Sequence, residues 1–148
     1  MNTAKKPETV SFPRRLGAMF YDSLLFGITV LLIGGIIATM VSRLMGLESI
    51  PAGSALANTL FVVNIILFFL LFGWFWTHGG QTLGMRAWKI RVVTIDGHPL
   101  DWQQAFFRFS AALFSLAAFG VGFLIAIFDP DKLGWHDRFS RTRLIRVK

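Results

Sequence analysis

SLLFGITVLLIGGIIATMVS, residues Ser23–Ser42, is a run of twenty positions without Asp, Glu, Lys, Arg or His. About 20 apolar helical residues cross the hydrocarbon of a bilayer, so 23–42 reads as a transmembrane helix. Lys5, Lys6, Arg14 and Arg15 precede it, as the basic region of a secretory signal would. The apolar run exceeds the roughly 7–15 residues such signals use, however, and no Ala-x-Ala site follows, so the span is read as retained.

Outward from this helix the pattern repeats. Ser49–Met85 is uncharged apart from His78; its apolar part, 56–77, ends on Trp74 and Trp76, ring types that favour the headgroup level. Between the two helices, Met45–Ala55 holds one charge, Glu48, with Pro51 and two glycines, and reads as a short hairpin loop. A third apolar stretch, 105–128, has its uncharged part at Phe109–Phe128, just after Arg108. The whole chain agrees with its parts. Its 148 residues suit one domain, 54% are hydrophobic, and only 16% are charged against about 25% in soluble domains. The expected fold class is an all-α integral membrane protein with two full transmembrane helices, a third segment that re-enters or spans, and a basic tail at 129–148.

Charge placement orients it. The N-terminal arm and the segment from His78 to Asp101, with Arg86, Lys89 and Arg91, are basic, whereas the loop at Glu48 has only Arg43 nearby. The positive-inside rule then puts the N-terminus and the long central loop in the cytoplasm, with the short loop outside. The tail, with Lys132, Arg138, Arg141, Arg143, Arg146 and Lys148, is the most basic segment. A single crossing by 105–128 would leave it outside. Two features favour re-entry. Phe119-Gly120-Val121-Gly122 can bend the third segment, and residues 89–95 and 142–147 both have strand composition and could pair on the cytoplasmic side. Asp96-Gly97 after the first strand is a turn signal.

Chemistry is concentrated where the first helix begins. Arg15, Ala18 and Asp22, at i, i+3 and i+7, share one helical face. Asp22 is followed at once by apolar residues, and an ionisable group at that depth is a functional candidate by default. The competing reading is a structural lock, with the carboxylate held by Arg15, Arg86 or Arg108.

At these residues the chain resembles the RDD family of bacterial membrane proteins, named for one arginine and two aspartates. Its pattern Arg-x-x-Ala-x-x-x-Asp is matched by Arg15, Ala18 and Asp22. The block Gly80-Gln81-Thr82-Leu83-Gly84-Met85-Arg86 is similar to the family's G-Q-T-x-G-[KM]-[RK] stretch. Gly134-Trp135-His136-Asp137 is similar to its G-[LW]-H-D block, with Asp137 as the second aspartate. The resemblance runs from about Phe12 to Lys148 in three ordered blocks. It implies a small integral membrane protein, with transport suggested and no substrate specified.

The three blocks are expected to converge on a cytoplasm-facing cluster of Arg15, Asp22, Arg86 and Asp137, supported by Ala18, Gly80, Gln81, Thr82, Gly84 and His136. Alternating guanidinium and carboxylate groups can satisfy one another where water is scarce. No enzyme is expected. The chain has no cysteine, and His78, His98 and His136 are scattered without metal-ligand spacing, so neither a metal nor another cofactor is implied. With a net charge of +7, the expected partner is a bilayer rich in anionic lipid, not nucleic acid. Two functions remain: a transport role, such as cation/proton exchange in a homo-oligomer, or an accessory or scaffold role bound to another membrane protein.

Overall fold

The structure, a computed structural model, describes residues 10–147. The basic arm read at Lys5 and Lys6, and the last tail cation, Lys148, lie outside the described residues. Two compact units form: Ser23–Leu71, and the remainder, comprising the segment up to Asp22 together with Phe72 onward.

Helix α1 is Phe12–Leu44 and α2 is Ala55–Thr77; both are long and apolar enough to cross a membrane. At 1.5 Å per residue, the 33 residues of α1 extend about 50 Å, against roughly 30 Å of hydrocarbon. The helix begins eleven positions before the uncharged run, so Arg15, Ala18 and Asp22 lie on it as their spacing predicts; Pro13 suits its first turn and nothing up to Asp22 breaks it. The surplus turns carry Arg14, Arg15 and Asp22. In the apolar region polar side chains bond their own helix, as lipid offers no partner. Thr29 Oγ1 donates to the Leu25 carbonyl at 2.7 Å, and Asn64 Nδ2 donates to that of Leu60 at 2.9 Å. Asn64 also fills the hollow at Gly34, where any Cβ would collide with it. α1 ends in a Schellman motif, with Gly46 at φ 66° and Leu47 N–H bonding the Ser42 carbonyl at 2.8 Å.

After α2 come α3 (Leu83–Ala87), β1 (Ile90–Thr94) and α4 (Trp102–Ala117), the last opened by a reciprocal Asp101/Gln104 capping box. The third apolar stretch is two helices, α4 and α5 (Val121–Phe128), bent by 100° at a break that contains Phe119 (φ 56°) and Gly120 (φ 79°). The chain then forms α6 (Trp135–Phe139) and β2 (Thr142–Arg146). Residues 129–147 of the basic tail are therefore folded. β1 and β2 pair antiparallel, from Ile90 opposite Arg146 to Thr94 opposite Thr142, in agreement with the pairing expected between 89–95 and 142–147. Ile90, Val92 and Leu144 are buried and form an apolar layer on one side of this ribbon. Gly80 (φ 69°) secures the ribbon to the end of α2: its carbonyl accepts from Val92 N at 2.7 Å, and a Cβ there would strike the Val92 carbonyl.

Candidate functional site

The face of α1 expected from spacing is buried as a stripe: Arg15, Ala18 and Asp22 are all under 10% exposed, while Leu16, Phe20 and Tyr21 between them are exposed. Two separate polar centres lie along it.

The first is Asp22. Thr82 Oγ1 donates to one carboxylate oxygen at 2.5 Å, and Gly84 N donates to the other at 2.8 Å. Thr82 is the N-cap of α3, and its hydroxyl also accepts from Met85 N at 3.2 Å, so the side chain that caps α3 also binds the aspartate. Gly84 permits the approach: a Cβ there would strike the Ala18 carbonyl and lie 2.8 Å from Asp22 Oδ1. Asp22 forms no salt bridge among the described residues.

The second centre is Asp137, fully buried on α6. Arg15 Nη1 donates to Oδ2 at 2.9 Å and Arg108 Nη1 to Oδ1 at 2.6 Å. Gly134 N, at the cap of α6, donates to Oδ2 at 3.0 Å. Arg108 extends the network to Thr142 Oγ1 at 2.7 Å, and its guanidinium carbon lies over the Trp76 ring at 5.3 Å. One carboxylate thus binds α1, α4 and α6 together, and through Arg108 reaches β2. Burial alone would raise the pKa of Asp137, but His136, Arg108 and Arg15 outweigh it and hold the carboxyl well below its usual range. Burial pushes His136 down to about 4 against the pull of Asp137, with Arg108 and Arg15 adding to the depression, so His136 is neutral at neutral pH.

The expected four-residue cluster is therefore redistributed. Arg15 and Asp137 meet, with His136 Nε2 3.5 Å from Asp137 Oδ1. Asp22 is held by Thr82 and Gly84, both named from the sequence. Gln81 bonds the Ile90 carbonyl at 2.7 Å and so holds β1, as Gly80 does. Arg86 does not join: it is exposed on α3, whose Gly84 and Met85 occupy the inward positions. Arg108 takes the place given to Arg86. The sequence carried a signal for it, a lone cation four residues into the stretch 105–128, on the helical face shared with Ala105, Ala111 and Ser115, all buried. Among the described residues, no group of three or more His, Asp or Glu side chains is arranged to hold a metal ion.

Arg15, Asp22 and Asp137, the arginine and two aspartates picked out by the resemblance, are thus three buried side chains on the α1 face and on α6 packed near its start. No curated protein and no solved structure matches the chain. The family model for RDD matches residues 9–141, a stretch that includes all three blocks and both polar centres, and the chain belongs to the RDD family.

Proposed function

We propose that this integral membrane protein has a transport-related, non-enzymatic role, with Asp22 as the group that binds a proton or small cation. One observation carries the reading. Of three buried aspartates among the described residues, Asp137 is matched by two guanidiniums and Asp129 by that of Arg138, while Asp22, 4% exposed, has only neutral donors. Burying an ionised carboxylate without a counter-charge is costly, and a bound proton or cation removes that cost. The proposed setting is a bacterial inner membrane with the N-terminus in the cytoplasm, as the positive-inside rule favours. Pairing of Arg15 with Asp137, together with the 100° bend between α4 and α5, supports a re-entrant third segment that returns the C-terminal residues to the side of the N-terminus. So few spans enclose no pathway alone, so the transporting form is a homo-oligomer.

The test is proton and cation flux in liposomes holding the purified protein, wild type beside Asp22→Asn. Flux in the wild type that disappears in a normally folded variant supports the reading. A well-folded wild type without flux, or flux unaffected by Asp22→Asn, overturns it. A second reading rests on the same site: both Asp22 oxygens are already occupied, as a lock would require, which suits an accessory or scaffold protein of a membrane complex. Its signature is a fixed membrane partner that co-purifies, no flux, and loss of folded protein in Asp22→Asn.

A further inference from the structure

Arg86, left out of the buried network, stands in a different constellation. Trp88, the C-cap of α3, lies against Gly17 of α1, where a Cβ would collide with its ring. Tyr21 meets the same ring edge-to-face, with centroids 6.5 Å apart and planes at 79°. Both rings are partly exposed and sit where α1 passes from its basic first turns into its apolar run. Trp and Tyr so placed favour the headgroup layer. Three cations lie beside this pair, in space or in sequence. Arg14 Nη1 donates to the Trp88 carbonyl at 2.9 Å. Arg86 precedes Trp88 by two residues and Lys89 follows it, with φ 52° and a backbone bond to the Arg86 carbonyl at 3.1 Å. Arg86 and Lys89 are exposed, and none of the three cations forms a salt bridge among the described residues.

We propose that Arg14, Arg86 and Lys89, gathered at Trp88, form a headgroup site for an anionic phospholipid. A phosphodiester brings the opposite charge with acceptor oxygens that suit guanidinium and ammonium donors. The Tyr21–Trp88 pair supplies the apolar shoulder against which the glycerol end of such a lipid rests. Basic side chains at a membrane surface contribute about 1 kcal/mol each toward anionic lipid, so removal of two weakens binding by roughly thirtyfold. The site is independent of any transport role, since it uses neither Asp22 nor Asp137.

Thermal unfolding of the full-length protein in neutral detergent tests it, with phosphatidylglycerol, phosphatidylcholine or inorganic phosphate added. Phosphatidylglycerol should raise the Tm, and the other two should leave it unchanged. The double variant Arg86→Gln/Lys89→Gln should need more than tenfold more phosphatidylglycerol for the same shift. Arg43→Gln/Arg141→Gln removes equal charge away from Trp88 and should respond as the wild type does. Equal loss in both double variants would reduce the effect to diffuse attraction and overturn the site. So would a shift produced equally by phosphatidylcholine, or one reproduced by inorganic phosphate, which would make it a free-anion site. If the Arg86/Lys89 variant fails to fold, native mass spectrometry of the wild type decides: selective retention of phosphatidylglycerol over phosphatidylcholine, lessened in Lys89→Gln alone, supports the site, and non-selective retention rejects it.

Discussion

Asp22 and Asp137, the two aspartates picked out by the family resemblance, are both buried and both within reach of the first turns of α1, but they are held by different means. Asp137 sits between two guanidiniums and a backbone N–H, so its charge is compensated by charge. Asp22 receives a hydroxyl and a backbone N–H, so its lone pairs are filled while its charge is not. The difference separates two tasks that a shared motif would otherwise merge. An ion pair with both partners buried is strongly destabilised when one is removed. A carboxylate held by neutral donors tolerates an amide more readily.

The sharpest test of this contrast is Asp137→Asn beside Asp22→Asn. The first leaves Arg15 and Arg108 without a counter-ion and should cost about 3–5 kcal/mol, seen as loss of folded protein in detergent. The second should cost about 1–2 kcal/mol, since an amide oxygen still accepts one of the two donated bonds. Equal losses would break the comparison. Gly84→Ala should destabilise by about 1–3 kcal/mol, as the added methyl meets the Ala18 carbonyl and pushes α3 away from Asp22; an unchanged Tm would show that Asp22 is not tightly held. The smallest effect is one of pH. His136 is held neutral by burial, with its pKa lowered from 6.5 to about 4, so the unfolded chain binds the proton first. Stability should therefore fall as pH drops from 6.5 toward 4, before the Asp137 contribution is lost below its ordinary value of 3.8. In His136→Gln the slope across that window should flatten, as measured by Tm against pH.

Long-range order was legible where it was written in periodicity. The charge-free run at 23–42 locates α1, and strand composition at 89–95 and 142–147 gives the ribbon, because burial on one face leaves a pattern along the chain. The Asp101/Gln104 cap is equally local. The partner of Asp137 was not legible in this way. Arg86 belongs to a motif and Arg108 does not, yet a five-residue helix with Gly84 and Met85 turned inward carries Arg86 outward. Which cation reaches a buried acid depends on packing between α4 and α6, which no spacing within one element encodes. Ser115 is likewise beyond such a reading: it is fully buried with a hydroxyl that has no hydrogen bond among the described residues.

The bond between Arg15 and Asp137 joins positions 122 apart in the chain. A ribosome delivers the arginine first and its aspartate 122 residues later. Until Asp137 emerges, Arg15 and Arg108 have no buried counter-ion, so any product that stops short of it lacks the clasp that closes the C-terminal segments onto the beginning of the first helix. Closure of this clasp therefore waits on synthesis of Asp137, and a chain cut before that residue carries two uncompensated cations by which it differs from one that contains it.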